Sequence, residues 1–307
     1  MSDGNRFKGV APALVTPMRP DGAIDHFALE DHFSWVLHQG VDVLVPCGTT
    51  GESVTLSDEE QKEVIAACVR ISGGRVPVLA GAGTNDTRHA AALASAAADA
   101  GADGILSVTP YYNRPTVDGL IAHFGEIAEA SGLPLVLYNV PGRTGLNVTA
   151  DDLFRIVDAV PEVVGVKEAS GDLAQIIGVL HRRPPDFVVL SGDDELTLPV
   201  MALGGDGVIS VIANEAPGAM SELVHAARDG DWSTARALHD RLIPLMRANF
   251  ATTNPVPVKT ALELMGRAPA NFRLPLLPLS ARSEVRSTLR SALELAGLIE
   301  PFVPPTT

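Results

Sequence analysis

One stretch, residues 163–172, has the sequence Val-Val-Gly-Val-Lys-Glu-Ala-Ser-Gly-Asp. Its first four residues are apolar or glycine, which is typical of a strand that is buried on both faces. Ser170, Gly171 and Asp172 then predict a turn that leads into a helix. Lys167 is therefore expected at the carboxyl end of a buried strand.

A lysine in this position has two interpretations. In an apolar pocket the ammonium form is disfavoured, and the neutral amine that results can attack a ketone and form a Schiff base. Alternatively, Lys167 extends its amine to solvent or pairs with a nearby carboxylate, as most lysines do. The stretch taken alone favours the second interpretation, and the rest of the chain favours the first.

The same pattern, a short apolar run followed by a helical segment, recurs along the chain. Eight strands are expected, at residues 10–16, 41–45, 76–80, 104–108, 134–138, 163–167, 187–190 and 207–211. Short apolar strands that alternate with helices favour parallel pairing. Eight such units predict an α/β fold of the (β/α)8 TIM-barrel type rather than an open doubly wound sheet.

Local signals also place helix ends and a domain boundary. Ser57 and Glu60 form a capping-box pattern at the start of one helix, and Thr149 is expected to cap another. After the eighth strand the chain is mostly helical and is interrupted by prolines. We therefore expect the barrel at residues 1–230 and a C-terminal helical bundle at residues 231–300.

Composition excludes several classes of protein. The 307 residues include 23 basic and 37 acidic side chains, and the net charge of −14 disfavours binding to nucleic acid or to anionic membranes. No apolar run reaches the ~20 residues of a membrane span, and the N-terminus lacks the apolar core of a signal peptide. Two cysteines, Cys47 and Cys68, are too few for a disulfide framework, so a cytoplasmic location is expected.

Chemically useful residues follow several predicted strands, and the carboxyl ends of strands carry the active site in TIM barrels. Residues 48–51, Gly-Thr-Thr-Gly, follow the second strand and could hold a small carboxylate, although a simple tight turn explains them too. The chain has three tyrosines, Tyr111, Tyr112 and Tyr138, and all three fall at such positions. Tyrosine can relay a proton when a neighbour orients its hydroxyl.

Arg143 lies in the loop after the fifth strand. It is either a solvated surface group or a guanidinium that binds a substrate carboxylate with two parallel hydrogen bonds.

Other chemistries have weak support. Residues 81–83, Gly-Ala-Gly, lack the third glycine of a dinucleotide fingerprint, and the eight histidines lack metal-ligand spacing. Residues 193–195, Asp-Asp-Glu, could bind a divalent cation, but they are better explained as a solvated helix start. No nucleophilic serine elbow is present. We therefore expect no metal.

Several motifs, in order along the chain, resemble those of the dihydrodipicolinate synthases. They lie at residues 48–53, 111–115, 138–144, 165–169, 191–194 and 254–259. The resemblance covers nearly the whole chain. The wider family of pyruvate-dependent Schiff-base aldolases includes N-acetylneuraminate lyase and shares the barrel, the lysine and the second-strand loop.

The resemblance implies condensation of pyruvate with aspartate semialdehyde, a step toward diaminopimelate and lysine. Lys167 would form an imine with pyruvate, with no other cofactor. Thr49, Tyr138 and Tyr112 match the family's proton relay. In the family the residue that matches Tyr112 enters the site of a neighbouring subunit, so a homo-oligomer, a tetramer built as a dimer of dimers, is expected.

The resemblance also implies substrate-binding roles. Thr50 matches the site of the pyruvate carboxylate, Arg143 matches the clamp for the aldehyde's carboxylate, and Gly192 and Ile209 match further substrate contacts. Sugar-acid lyases of the family generally lack the arginine, so its presence favours aspartate semialdehyde. The alternatives are a same-family lyase for another aldehyde and a non-catalytic barrel that binds keto acids.

A regulatory lysine site of the family is matched by Ser53, Asn85, His89 and Tyr111. Lysine-inhibited members carry histidines and an acidic residue at positions where this chain has Asp58, Gln61 and His89. A histidine in place of a carboxylate removes a counter-charge for an ammonium group. We therefore expect weak inhibition by lysine, or none.

Overall fold

A parallel β-sheet forms the centre of the molecule in the computed structural model, which describes residues 4–301. Its seven strands are β1 (Gly9–Pro12), β2 (Leu79–Gly81), β3 (Gly104–Val108), β4 (Leu135–Asn139), β5 (Val163–Glu168), β6 (Val188–Ser191) and β7 (Gly207–Ser210). Their order in the sheet is β1-β7-β6-β5-β4-β3-β2, and every neighbouring pair is parallel. The predicted α/β class with parallel pairing is confirmed.

Helices alternate with these strands and continue beyond them. Within the described part of the chain they are α1 (His26–His38), α2 (Asp58–Ser72), α3 (Thr87–Asp99), α4 (Val117–Ser131), α5 (Pro141–Thr144), α6 (Ala150–Ala159), α7 (Leu173–Arg182), α8 (Thr197–Ala202), α9 (Pro217–Arg228), α10 (Trp232–Ala248), α11 (Val256–Leu264) and α12 (Glu284–Ala296). Short 3₁₀ turns occupy Gly4–Phe7, Ser53–Thr55, Asp194–Leu196 and Ile212–Asn214. None of the helices between residues 4 and 301 has the length and apolar character that crossing a bilayer requires.

The predicted second strand, residues 41–45, is not a regular strand. Its residues form single parallel bridges to both edges of the sheet, between Val45 and Ala13 on the β1 side and between Leu44 and Val78 on the β2 side. The expectation of eight regular strands is therefore wrong by one. Prolines at positions 12, 46 and 77 interrupt the ladder here, because proline has no N–H to donate.

The helix signals in the sequence are confirmed. Ser57 and Glu60 form a complete capping box at the start of α2, and Gly73 ends that helix with a φ of +55°. The Thr149 side chain accepts a hydrogen bond from the Asp152 N–H and caps α6. The local sequence was sufficient to predict these helix ends, because each cap is formed by residues only a few positions apart.

Both faces of the sheet are buried. Ile105, Leu135 and Leu137 pack in a large cluster with the surrounding helices, whereas Leu106 and Val136, which alternate with them, belong to a separate cluster on the opposite face. Alternate residues of a strand point to opposite faces. The side chains at the carboxyl ends of the strands are therefore held between two packed layers.

The C-terminal helices form a connected group. Helix α10 packs against α9 and α12, and α11 packs against α12. Helix α11 also contacts the 3₁₀ turn at Ile212–Asn214, which directly follows β7.

Candidate active site

Lys167 lies near the carboxyl end of β5 and is only 6% exposed. Its Nζ is 4.2 Å from the centroid of the Tyr138 ring, on the neighbouring strand β4, where the two residues are register partners. No carboxylate among the described residues forms an ion pair with this amine. The interpretation of Lys167 as a solvated or salt-bridged lysine is therefore wrong.

A cavity of about 250 Å³ opens at this end of the sheet. Residues that line it include Thr49, Tyr111, Tyr138, Arg143 and Ser53. It is the size of a small organic molecule rather than of a nucleotide. Thr49, Tyr138 and Arg143, which the sequence assigned to the active site, thus line the same cavity as Ser53 and Tyr111, which it assigned to a regulatory site.

The loop at residues 47–52 forms one side of the cavity. Cys47 and Glu52 both have a φ of +56°, a conformation that non-glycine residues rarely adopt. Gly81 faces this loop, and a Cβ atom there would lie 2.1 Å from the Cys47 carbonyl oxygen. The close approach between β2 and the loop therefore requires glycine. Burial raises the pKa of the Cys47 thiol to about 12, so this cavity residue is not a thiolate nucleophile at neutral pH.

Thr50 is buried behind the cavity wall. Its Oγ1 accepts a hydrogen bond of 2.9 Å from Asn254 Nδ2, and the carbonyl oxygen of Gly51 accepts one of 2.8 Å from Thr16 Oγ1. These contacts fix the loop from two distant parts of the chain.

Arg143 belongs to the short helix α5, which ends at Gly145 in the left-handed conformation. The side chain lines the cavity, and within residues 4–301 no acidic group pairs with it. An unpaired guanidinium at the mouth of a cavity can hold a carboxylate with two charge-assisted hydrogen bonds. In a protein of net charge −14 such a local cation is what an anionic ligand requires.

Tyr112 does not lie in the cavity of its own chain. It is 90% exposed and has a φ of +73°, while the preceding residue, Tyr111, lines the cavity and places its hydroxyl 3.3 Å from Thr84 Oγ1.

Gly192 directly follows β6 and donates its N–H to the Glu168 carbonyl oxygen at 2.7 Å. Ile209 is buried on β7 in the same apolar cluster as Tyr138. Gly192 and Ile209 are thus near Lys167 and Tyr138 without lining the open part of the cavity.

Each residue assigned to a regulatory site takes part in a local hydrogen bond. Asn85 Nδ2 donates to the Tyr111 carbonyl oxygen at 3.1 Å, and Gln61 Nε2 donates to the Ser53 carbonyl oxygen at 3.1 Å. His89 Nε2 lies 2.9 Å from an Asp58 carboxylate oxygen. The Asp58 carboxylate and the His89 ring are therefore hydrogen-bond partners of each other at this site.

Two acidic residues are buried, although the sequence indicated burial for neither. Asp194 was expected at a solvated helix start, but it is only 2% exposed, and burial raises the pKa of its carboxyl group. Its Oδ2 accepts the N–H groups of Val211 and Ile212 at 3.0 Å. Glu215 is also buried, with its pKa raised well above the usual range by desolvation, and no sequence signal marked it. Within the described residues, no group of three or more potential ligands is arranged to hold a metal ion.

One buried ion pair was also missed. Lys259 Nζ lies 2.6 Å from Glu52 Oε1, and both side chains are almost completely buried. Residues 254–259 were noted only as a family motif, and nothing in their spacing indicated a contact with the loop at residues 47–52.

Comparison with known proteins identifies the relatives of this chain. Residues 6–295 match the model of the Dihydrodipicolinate synthetase family. The 4-hydroxy-tetrahydrodipicolinate synthase of Oleidesulfovibrio alaskensis is 51% identical over 294 residues, which are 96% of this chain and 100% of that protein. The counterpart from Maridesulfovibrio salexigens is also 51% identical, over 95% of this chain and 99% of its own.

A solved structure agrees with these sequence relatives. The crystal structure of the chloride-inhibited dihydrodipicolinate synthase of Acinetobacter baumannii, complexed with pyruvate, superposes with a TM-score of 0.92 at 45% identity. The match covers 95% of this chain and 100% of that one. The resemblance seen in the sequence is confirmed, and the chain belongs to the dihydrodipicolinate synthetase family.

Proposed function

We propose that this protein is a lyase that condenses pyruvate with L-aspartate 4-semialdehyde to give 4-hydroxy-tetrahydrodipicolinate, in the biosynthesis of diaminopimelate and lysine. The observation that carries the proposal is the buried, unpaired amine of Lys167, which lies against Tyr138 beside a small cavity that Arg143 lines. The shared family and the activity named for its relatives support the same reaction.

The proposed architecture is a closed (β/α)8 barrel. Residues 41–45 would complete the ring as its eighth member, a role supported by their bridges to both edges of the seven-stranded sheet. We assign the barrel to residues 1–230 and the helical bundle to residues 231–300.

The reaction begins at Lys167. Its neutral amine attacks the keto carbon of pyruvate, and loss of water leaves an imine, so that the electron sink is covalent and needs no further cofactor. The pyruvate methyl group then loses a proton to give an enamine, whose carbon attacks the aldehyde. Finally, the amine of the second substrate attacks the imine carbon, closes the ring and releases Lys167.

Proton transfers are assigned to hydroxyl groups. Thr49 and Tyr138 both line the cavity and can pass protons between pyruvate, the aldehyde oxygen and solvent. Tyr112 is the third member of the relay, supplied by a second subunit. Its exposed side chain on a strained backbone supports this, because strain of about 1–3 kcal/mol persists where a functional arrangement requires it. The proposed assembly is a homotetramer.

Both substrates carry a carboxylate group. Thr50 receives the carboxylate of pyruvate, with Gly192 and Ile209 enclosing the rest of the molecule. Arg143 receives the carboxylate of the semialdehyde. We place the enzyme in the cytoplasm, where its two cysteines, both free and buried, are kept reduced.

The decisive experiment compares two reactions of the purified protein. Condensation of pyruvate with aspartate semialdehyde is expected to be far faster than cleavage of N-acetylneuraminate, because the latter yields a neutral aldehyde that has no use for Arg143. A faster cleavage reaction would instead favour the same-family lyase for another aldehyde.

Borohydride trapping with pyruvate separates an enzyme from a non-catalytic keto-acid-binding barrel. Reduction of the imine is expected to attach pyruvate to Lys167 and to no other residue, as read by peptide mapping. A Lys167→Ala variant is the matched control and should remain unlabelled. Labelling elsewhere would remove the proposed mechanism.

Feedback inhibition by lysine is expected to be weak. The positive charge of bound lysine would face His89, whose partner is Asp58, and not a free carboxylate. Initial rates measured over a range of lysine concentrations test this. Half-inhibition well below the millimolar range would contradict the assignment of Ser53, Asn85, His89 and Tyr111 as a weakened regulatory site.

A further inference from the structure

The C-terminal part of the chain contacts the loop that follows residues 41–45. Lys259, on α11, is 2% exposed, and its Nζ lies 2.6 Å from Glu52 Oε1 and 3.1 Å from the Thr16 carbonyl oxygen. The same nitrogen lies 4.7 Å from the centroid of the Phe272 ring. Glu52 is itself only 1% exposed. A charge removed so completely from water depends on its partner.

Asn254, just before α11, makes a second contact with the same loop. Its Nδ2 donates to Thr50 Oγ1 at 2.9 Å, and both side chains are buried. A threonine hydroxyl that accepts this hydrogen bond still has its own hydrogen to donate. No acceptor for that hydrogen exists among residues 6–301, so the Asn254 contact orients a free donor.

The loop between these contacts has a backbone that its own sequence does not stabilise. Cys47 and Glu52 adopt left-handed conformations although neither is glycine. Such conformations persist only where the surrounding structure enforces them. The second carboxylate oxygen of Glu52 has no hydrogen-bond partner in the described part of the chain, so Lys259 is the group that holds this carboxylate.

We propose that Asn254 and Lys259 are positioning residues for pyruvate binding, which hold residues 48–52 in the conformation that receives the pyruvate carboxylate. The inference rests on the role proposed above for Thr50. It gives the C-terminal segment a part in substrate binding, although that segment contributes no residue to the lining of the cavity.

A purely structural ion pair makes a different prediction. It would change the temperature of unfolding but leave the affinity for pyruvate unchanged in any variant that is still folded. The two roles are therefore separated by measuring KM for each substrate well below the Tm of each variant.

The first variants are Lys259→Met and Asn254→Ala. Both are expected to raise KM for pyruvate, Lys259→Met by about tenfold or more because the buried charge of Glu52 loses the ion-pair partner that it has among the described residues. KM for aspartate semialdehyde, which is held by Arg143, is expected to change by less than about threefold. Asn254→Ala leaves the ion pair intact and decides the question if Lys259→Met does not fold.

A double variant and a control sharpen the result. Lys259→Met combined with Glu52→Gln removes both charges, so its KM for pyruvate is expected to lie closer to that of the wild type than the value for Lys259→Met alone. The control is Arg286→Met, which breaks the 2.7 Å ion pair between α12 and Glu263 of α11 and touches nothing in the loop. It should leave both KM values unchanged.

The outcomes separate this inference from the proposed function. Variants that lose thermal stability but keep the wild-type KM for pyruvate would overturn the positioning role alone. A wild-type protein that forms no trapped imine at Lys167 would overturn the proposed function as well.

Discussion

Lys167 and Tyr138 lie side by side because they are register partners on neighbouring strands. Because β4 and β5 are parallel and pair Tyr138 with Lys167, both side chains point to the same face of the sheet. The amine is buried, lies against an aromatic face and lacks a carboxylate partner among the described residues. The amine therefore has no ion pair to break before it can react with a ketone.

Replacing Tyr138 tests the proton relay at a single atom. Tyr138→Phe keeps the ring against Lys167 and removes only the hydroxyl, so the turnover rate is expected to fall by roughly 100-fold or more. Borohydride trapping at Lys167 should persist, because the amine and its packing are intact. A variant with wild-type turnover would remove Tyr138 from the relay.

His32 gives a prediction for pH dependence. It is fully buried on α1 and bonds through Nε2 to Asn214 Oδ1 at 3.1 Å, and desolvation lowers its pKa to about 4 from a usual value of 6.5. Between pH 4 and pH 6.5, His32 is therefore protonated in the unfolded chain but not in the folded chain. The contribution of His32 to stability is complete above pH 6.5 and is lost as the pH falls toward 4, by roughly 3 kcal/mol in all.

Thermal unfolding measured across this pH range checks the sign and the size. His32→Gln, which can still donate to Asn214, is expected to lose less stability than the wild type as the pH falls. An identical slope in both proteins would show that His32 does not titrate in this way.

At the scale of secondary-structure elements, β2 and the loop at residues 47–52 pack directly against each other. The loop carbonyl at Cys47 comes so close to Gly81 that no side chain fits between them. The same loop is held on its other side by Asn254 and Lys259. The position of the loop therefore depends on the sheet and on α11 together.

Gly81→Ala is expected to displace the loop. The added Cβ would lie 2.1 Å from the Cys47 carbonyl oxygen and 2.9 Å from the Gly48 nitrogen, two atoms of one backbone peptide that cannot rotate away as a side chain would. A large increase in KM for pyruvate and a lower Tm should follow. Gly125→Ala is the matched control: it sits inside α4 with no atom within 4 Å of the new Cβ, and should be fully active and slightly more stable.

At the scale of the whole molecule, one proposed relay residue lies outside its own chain's cavity. Tyr112 exposes nearly all of its side chain, although tyrosines usually bury the ring. A second subunit that covers it would bury this ring and place its hydroxyl at the other chain's Lys167. Activity would then require an assembly, since neither subunit is complete alone.

Mixing two inactive variants tests this arrangement. Lys167→Ala and Tyr112→Phe are each expected to be nearly inactive. After dissociation and reassembly together, each hybrid dimer contains one site with both native residues, so random mixing restores about one quarter of wild-type activity. No recovery, in hybrids shown to have formed, would place the relay within a single chain.

Much of the fold follows from the sequence alone. Apolar runs of the right length predicted all seven strands, and the capping residues Ser57 and Thr149 predicted where α2 and α6 begin. These features form within short segments of chain, so their signals are local. The irregularity of residues 41–45 was missed because it depends on Pro12 and Pro77 of other segments as well as on the adjacent Pro46.

The sequence by itself determined the order of strands and helices, and it indicated that Lys167, Tyr138 and Arg143 lie at the carboxyl end of the sheet. Only the tertiary structure decided that Asp194 is buried rather than solvated, and that Lys259 pairs with Glu52 across 207 residues of sequence. The reason is physical. The periodicity of apolar residues is a local property of the sequence. The partner of a buried charge, in contrast, depends on packing between segments that are far apart in the sequence.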